Sequence, residues 1–194
     1  GKYESADKTS LREELGLDKD LFYFAHIGTL THWDGILEFL DAFKDSSVLE
    51  NCKFLLIGNG SLENEIKAFI QTHSLEKNVE MRGSVPQHIA QKYVAAIDAV
   101  PLLKTIYSYQ LSPIKFYEAL GLGKLLLTTD VTYINLIKDS DFGVTVKLPL
   151  VKSEIMAAIE SIYSEKGNLE TKKESIIKFT IANHTGDKRV EQII

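Results

Sequence analysis

The helix predicted to begin at Ser112 carries side chains whose types and spacing suit a phosphorylated sugar. The Ser112 hydroxyl can accept from a free backbone N–H one turn on, and Pro113 suits the first helical position. Lys115 falls in the first turn and adds a full charge to the partial positive charge of the helix N-terminus. Glu118 lies three residues further on the same face, where its carboxylate can accept from two sugar hydroxyls. An ordinary amphipathic helix with a Lys115–Glu118 surface pair would explain the same residues.

Six short apolar segments alternate with helical patterns, and these elements must position the site. The strand segments are LFYFAHIG, KFLLIGNG, VEM, AVPLL, KLLLTT and GVTV. Buried strands that alternate with helices predict an α/β fold, a Rossmann-like parallel six-stranded sheet with helices on both faces. We expect three parts: a linker and short helix from an inter-domain region over 1–19, the Rossmann-like domain over 20–165 and a C-terminal helical tail over 166–194.

The loops that follow the strands are the candidate binding loops, because ligands of such sheets bind outside the carboxyl ends of the strands. Glycines end three of the strands, at Gly28, Gly58 and Gly83, and let the backbone approach a ligand closely. Gly58 also begins a pattern similar to a dinucleotide fingerprint, but Glu63 takes the place of its third glycine. We therefore favour a tight strand-to-helix turn over an NAD site.

Capping patterns predict where three other helices begin. Ser10 with Glu13 and Ser84 with Gln87 match the capping box, and Ser61 is a further candidate cap.

Two histidines and two aspartates near strand ends are candidate site residues. His26 lies inside an apolar strand and is interpreted as a packed side chain, whereas His32 lies in a strand-end loop and is a candidate ligand contact. Asp98 and Asp130 are interpreted as cap or turn residues.

Charge, cysteine count, hydropathy and missing motifs argue against several classes of protein. A net charge of −5 argues against a nucleic-acid partner, and the single cysteine, Cys52, argues against a disulfide framework. No apolar run reaches membrane-spanning length, and the first residues are too polar for a signal peptide. Histidine pairs at metal spacing, a Gly-x-Ser-x-Gly elbow and a Walker motif are all missing from the sequence.

The order of motifs along the chain resembles the C-terminal, donor-binding half of the family 4 retaining glycosyltransferases of the GT-B fold. The resemblance runs from about Leu11 to Val146 and rests on HIGTLTHWDGILEFLDAF, FLLIGNGSLENEIKAF, VEMRGSVPQHIAQKYVAAIDAVPLL and SPIKFYEALGLGKLLLTTD, in that order. It implies transfer of a sugar from a nucleotide-diphosphate donor, bound in a cleft between two Rossmann-like halves. Only one such half fits in 194 residues, so we expect an N-terminal partner domain elsewhere in the same protein.

The resemblance also implies which residues bind the donor. Glu118 matches the glutamate that holds the ribose, and the loop with Ser84 and Val85 matches the backbone that contacts the base. Leu111 and Ser112 match the helix start that receives the diphosphate. The full set of expected donor-binding residues is Gly28, Thr29, Gly58, Ser84, Val85, Gln110, Leu111, Ser112, Lys115 and Glu118.

Three positions depart from the family pattern. Gln110 replaces the first of two acidic residues, and Thr29 and Asp34 replace an arginine and a lysine that many members use for the phosphates. We expect Lys115 to compensate by stabilising the diphosphate, with Lys104 as a second candidate.

The expected function is therefore the donor-binding half of a glycosyltransferase that builds a surface polysaccharide or glycoconjugate. The substrate is a nucleotide-diphosphate sugar, with a UDP-sugar favoured, and neither a metal nor another cofactor is expected. We expect a cytoplasmic protein, at the inner face of the membrane if the full-length enzyme associates with it peripherally. Two alternatives stay open on the same fold: a non-catalytic nucleotide-binding or regulatory module, and a nucleotide-sugar epimerase or phosphorylase.

Overall fold

Six parallel strands form one sheet in the computed structural model of the chain, which describes residues 7–106, 113–130 and 141–184. The strands are β1 Phe22–Ile27, β2 Cys52–Ile57, β3 Val79–Gly83, β4 Ala99–Leu102, β5 Leu125–Thr129 and β6 Gly143–Val146. Their order in the sheet is β3-β2-β1-β4-β5-β6, and every neighbouring pair is parallel. This order is that of a Rossmann sheet and confirms the predicted fold class. The order in which the strands are added to the sheet reverses between β1 and β4, and the carboxyl ends of these two strands form the topological switch point.

Helices cover both faces of the sheet. The α-helices in the described ranges are α1 Lys8–Leu15, α2 Ile36–Phe43, α3 Glu63–Thr72, α4 Gln87–Ala96, α5 Pro113–Gly121, α6 Lys152–Ser164 and α7 Leu169–His184. Right-handed crossovers place α2 and α3 on one face, and α4 and α5 on the other. In agreement, α2 packs against α6, α1 against α4 and α5 against α7.

Aromatic side chains fill the core between the sheet and α2. Phe24 on β1 and Phe54 on β2 project to the same face, where Phe39 and Phe43 meet them from α2. The Phe39 and Phe54 ring centroids lie 4.4 Å apart, and all four side chains are buried. Burying each ring contributes about 2–3 kcal/mol, so this cluster fixes α2 and the loop before it on the sheet.

Three of the predicted helix caps were wrong. The cap of α1 is Asp7, whose carboxylate accepts from the N–H groups of Thr9 and Ser10, because the helix begins at Lys8, before the predicted capping box. Ser61 does not cap α3, whose first turn is bonded instead to the backbone of neighbouring loops. At α4 the cap position is Pro86, which follows Ser84 and leaves no side-chain cap.

The two ends of the described chain pack onto the domain. α1 from the predicted linker lies on α4, and α7 from the predicted tail lies on α5. The Ile176 side chain of α7 is fully buried. Phe179 packs its ring on Phe142 with centroids 5.1 Å apart. Among the described helices, none combines the length and apolar composition that a membrane span requires.

Asp98 is a buried charge, not the cap or turn residue that the sequence suggested. Its carboxylate accepts from Arg12 at 2.7 Å and from the Tyr23 N–H at 2.7 Å, and it also pairs with Lys8. These contacts join α1 to the amino ends of β1 and β4, at the edge of the sheet opposite the binding loops.

Candidate functional site

The loops after β1 and β2 interlock through their backbones. The Leu30 N–H donates to the Asn59 carbonyl at 3.1 Å, and the Leu30 carbonyl accepts from Leu62 N–H at 3.2 Å. A Cβ on Gly58 would stand 1.9 Å from the Gly28 carbonyl oxygen, and this glycine has φ +132°. The Gly58-Asn59-Gly60 turn is therefore explained by close loop packing, as a tight strand-to-helix turn.

A groove lies at the carboxyl ends of β1, β2 and β3. Five of the expected donor-binding residues line it together: Gly28, Thr29, Gly58, Ser84 and Val85. The groove has a volume of about 260 Å³, and Ile27, Ile57, Asn59 and Ala90 complete its walls. Ligand pockets usually enclose about 300–1,000 Å³, so this groove has the size for a base and ribose but not for a whole nucleotide sugar.

A larger depression of about 470 Å³ lies at the opposite edge of the sheet. Leu21 and Cys52, at the amino ends of β1 and β2, are in its wall, and both lysines and carboxylates surround it. Open parallel sheets bind ligands at the carboxyl ends of their strands, so we place the site in the smaller groove.

Lys115 reaches from the first turn of α5 across the switch point between β1 and β4. Its Nζ lies 1.8 Å from the position that a Cβ on Gly28 would take, so the ammonium rests on the Gly28 backbone. The side chain is half-buried. No hydrogen bond or ion pair to this ammonium is found within residues 7–106, 113–130 and 141–184. A half-buried cation without a partner marks the place where an anion is expected.

The surroundings of Lys115 are electrostatically unusual. Burial lowers the pKa of Lys115, and the charge of Lys104 lowers it further, whereas the Asp34 and Glu118 carboxylates raise it. Burial, and then the charge of Lys115, lower the pKa of His26 to about 4. His26 is therefore neutral at pH 7, and its Nε2 lies 3.2 Å from the Thr29 carbonyl oxygen, to which it donates. This agrees with the interpretation of His26 as a packed side chain. The hydrogen bond from His26 also holds the backbone of Thr29, the residue after Gly28, in place.

Asp34 forms an ion pair with Lys104 across the switch point, with Nζ and Oδ1 2.5 Å apart. The position where the sequence suggested a missing cation thus carries a carboxylate that holds a lysine from the neighbouring loop. Sequence reasoning named both residues but missed their pairing. The signal that could have found it is topological, because the loops after β1 and β4 become neighbours once the strand order is known.

The remaining expected residues lie on α5, in the loop after β1 or outside the described ranges. Glu118 is exposed on α5, three residues beyond Lys115. Gln110, Leu111 and Ser112 lie outside the described residues. His32 is exposed and lies 3.4 Å from Glu65, at the rim of the interlocked loops. In the described part of the chain, no group of three or more His, Cys, Asp or Glu side chains is arranged to hold a metal ion.

The fold and this site define a class of protein, and comparison with known sequences agrees. The profile of the family described as Glycosyl transferases group 1 matches residues 7–179, which is most of the chain. The chain belongs to this family. No curated protein sequence matches it closely enough to count as a relative.

Solved structures of glycosyltransferases share its fold. WaaG, a glycosyltransferase involved in lipopolysaccharide biosynthesis, superposes with a TM-score of 0.78 at 16% identity, over 93% of this chain and 48% of WaaG. Anabaena HepE in complex with UDP gives 0.71 at 20% identity, over 90% of this chain and 48% of HepE. The catalytic domain of cholesterol-α-glucosyltransferase from Helicobacter pylori gives 0.70 at 17% identity, over 83% of this chain and 98% of that domain. The chain therefore spans about half the length of WaaG and HepE.

Proposed function

We propose that this chain is the donor-binding half of a glycosyltransferase and that it binds a nucleotide-diphosphate sugar at the carboxyl edge of its sheet. The single observation that carries the proposal is the Lys115 ammonium, half-buried on the Gly28 backbone with no anionic partner among the described residues. A diphosphate supplies the missing negative charge. The family supports the same class of ligand, since a glycosyltransferase takes its sugar from an activated donor.

The parts of the donor are assigned from the groove outward. The base and ribose occupy the groove between Gly28, Gly58 and Val85, whose size suits them. The diphosphate crosses Gly28 to reach Lys115 and the first turn of α5. Glu118 is assigned to the ribose hydroxyls, by resemblance to the family. The sugar then extends away from β3, toward β4 and the residues that follow it.

The chemistry required of this half is stabilisation of the leaving group. When the bond between the sugar and the diphosphate breaks, negative charge develops on the diphosphate oxygen. The Lys115 ammonium, already fixed beside that oxygen, stabilises the charge without having to reorganise. We assign the acceptor site and the remaining catalytic groups to an N-terminal half of the same protein, which would close over the carboxyl edge of the sheet.

A UDP-sugar is the proposed donor, and a surface polysaccharide or glycoconjugate is the proposed acceptor. HepE with bound UDP supports the choice of uridine, and WaaG, which acts in lipopolysaccharide biosynthesis, supports the acceptor class. The proposed location is the cytoplasm, where nucleotide sugars are available, with the complete enzyme at the inner face of the membrane.

Titration calorimetry tests the donor site. The purified chain is titrated with UDP, GDP, ADP and CMP, and then with UMP and uridine, to separate phosphate contacts from nucleoside contacts. We expect micromolar to millimolar binding of one diphosphate. Lys115→Met should weaken UDP binding by about tenfold or more and leave uridine binding unchanged, because only the charge-assisted phosphate bond is lost. Glu118→Ala should weaken UDP, UMP and uridine alike, since all three contain the ribose.

Three results would count against the proposal. Absence of binding to every nucleotide, by a chain that melts cooperatively, would favour a module on the same fold that has lost its donor site. Binding of UDP that does not change in Lys115→Met would remove the observation on which the site rests. Turnover of a UDP-sugar without acceptor, by the complete enzyme, would favour an epimerase.

A further inference from the structure

The Asp34–Lys104 pair joins the loops after β1 and β4, on the two sides of the switch point. Both side chains are only 15% exposed, and Nζ of Lys104 lies 2.5 Å from Oδ1 of Asp34. Oδ2 of Asp34 accepts from the Thr31 hydroxyl, also at 2.5 Å. Both carboxylate oxygens are therefore engaged. The ammonium has three N–H groups. Within the described residues one of them is used, so two remain for another acceptor.

The backbone around Lys104 is fixed before any ligand arrives. The Lys104 N–H donates to Oγ1 of the buried Thr129 at 2.7 Å, and this hydroxyl donates back to the Lys104 carbonyl at 3.3 Å. The next residue, Thr105, donates its N–H to the Trp33 carbonyl at 3.1 Å and its hydroxyl to the His32 carbonyl at 3.2 Å. The loops after β1 and β4 and the last residue of β5 thus hold the pair in one geometry, which lowers the entropy cost of binding.

The charges at the switch point do not cancel. Lys104, Lys115 and Asp34 influence one another electrostatically, and His26 between them is neutral at pH 7. The two ammonium groups outweigh the Asp34 carboxylate by one positive charge at the strand ends, while the Glu118 carboxylate lies one turn further along α5, where its side chain is exposed to solvent. An anion with several oxygens, spaced to bridge two ammonium groups, suits such a site better than a monoanion does.

We propose that Lys104 is a second cation for the diphosphate of the donor, and that Asp34 is a positioning residue that holds the Lys104 ammonium at the switch point. The inference rests on the proposed function, since it concerns the same ligand. Lys104 contacts one phosphate with its two remaining N–H groups while Lys115 contacts the other. The cation that the loop after β1 lacks is thereby supplied from the loop after β4.

The competing explanation is that Lys104 only neutralises Asp34, as an ordinary structural pair. The two explanations differ in what the pair does when both charges are removed. A purely structural pair can be replaced by a neutral pair without effect on a diphosphate. A lysine that contacts phosphate cannot, because its hydrogen bonds to the oxygens are lost.

A double-mutant cycle decides between them, with affinities for UDP, UMP and uridine measured by calorimetry on the purified chain. Lys104→Met with Asp34→Asn should lose about tenfold or more in UDP affinity, with uridine unchanged. Lys104→Met alone should lose more, because the Asp34 carboxylate is then left unpaired near the diphosphate. Asp34→Asn alone should weaken UDP binding although it removes a like charge, since Lys104 is no longer held. Lys104→Arg should restore a large part of the UDP affinity.

Lys53 and Glu80 provide a matched control on the same sheet. They form an ion pair of the same length, 2.5 Å, with side chains 25% and 23% exposed, on β2 and β3 away from the switch point. Glu80 also pairs with Arg82, so the control is Lys53→Met alone, which keeps that second pair and should leave all three affinities unchanged. Thermal melting of each variant excludes loss of fold as the cause of weaker binding.

The outcomes separate the inference from the function on which it rests. If the wild-type chain binds UDP through Lys115 and the Lys104–Asp34 double variant binds it equally well, Lys104 is a structural residue and this inference fails alone. Tighter UDP binding in Asp34→Asn would show that Asp34 only repels the ligand, and would also overturn it. If the wild-type chain binds no nucleotide, the proposed function fails first.

Discussion

The ammonium of Lys115 occupies the space that a side chain on Gly28 would need, 1.8 Å from the position of the missing Cβ. The contact joins the loop after β1 to the first turn of α5, on the two sides of the switch point. Gly28 also has φ +143°, a backbone conformation that residues other than glycine rarely adopt. One glycine therefore serves both the turn and the placement of the cation.

Gly28→Ala and Lys115→Met should affect stability in different ways. Alanine at position 28 combines backbone strain with displacement of the Lys115 ammonium, so we expect a loss of about 1–3 kcal/mol and weaker UDP binding. Lys115→Met removes a half-buried charge that has no partner among the described residues, so the free energy of unfolding should stay the same or rise while UDP binding falls. Chemical denaturation and calorimetry on the same samples measure both effects.

Gly167→Ala is the control for the glycine substitution. A Cβ there meets no atom within 4 Å, so its cost should stay within about 0.5 kcal/mol. Equal losses in Gly28→Ala and Gly167→Ala would contradict the steric role assigned to Gly28.

The fold could be predicted from the sequence because its signals are local. Apolar strand segments that end in glycine, at Gly28 and Gly58, indicate a parallel sheet, and the sheet type places the binding loops. The helix caps were harder to predict, because Asp7 and Ser10 are both good caps and only the packing of α1 decides between them. The partners of Asp98 and Asp34 could not be predicted, since Arg12 and Lys104 reach them through the fold and lie 86 and 70 residues away.

Arg12→Met should be among the most destabilising substitutions of a charged residue in this chain. Its guanidinium donates to the Ala96 carbonyl at 2.9 Å, the Leu21 carbonyl at 2.9 Å and the Asp98 carboxylate at 2.7 Å. Removing it leaves Asp98 buried with Lys8 and one N–H, so we expect a loss of about 3–5 kcal/mol in urea denaturation. UDP affinity should be unchanged, because the pair lies at the opposite edge of the sheet.

Two further variants test the cause of that loss. Lys67→Met breaks an exposed pair with Glu63 and should cost about 0–1 kcal/mol. Arg12→Met combined with Asp98→Asn should cost less than the sum of the two single substitutions, because no unpaired charge then remains buried. Strict additivity would show that Arg12 acts through its carbonyl contacts alone.

Lys124 should make the free energy of unfolding change with pH in the alkaline range. Its side chain is 4% exposed, and its Nζ donates to the Ala95 carbonyl at 2.6 Å and the Ile97 carbonyl at 2.9 Å, at the end of α4. A neutral amine has two hydrogens for these two acceptors. Burial, and then the charge of Lys8, lower the pKa of Lys124 to about 7 from 10.5, although Asp98 opposes the shift.

The sign of the pH effect follows from these two pKa values. Between pH 7 and about 10.5 the unfolded chain holds the Lys124 proton and the folded chain has lost it, so stability rises with pH. Below pH 7 both states are protonated, and this contribution no longer changes with pH. The free energy of unfolding should therefore increase from pH 7 to 10 by at most about 1.4 kcal/mol per pH unit from this residue.

Lys124→Met isolates the effect, because every other titrating group stays in both proteins. At pH 10 the neutral amine of the wild type makes two hydrogen bonds that the variant lacks, so the free energy of unfolding of the variant should be lower there. At pH 7 the difference should be smaller, because the wild type then holds a buried charge that the variant lacks. The difference in the free energy of unfolding between the wild type and the variant should increase steadily from pH 7 to 10 as the wild type gains stability. Lys67→Met, an exposed lysine, should instead give a curve parallel to the wild type. A constant gap for Lys124→Met would mean that Lys124 keeps its proton when folded, held by the Asp98 carboxylate.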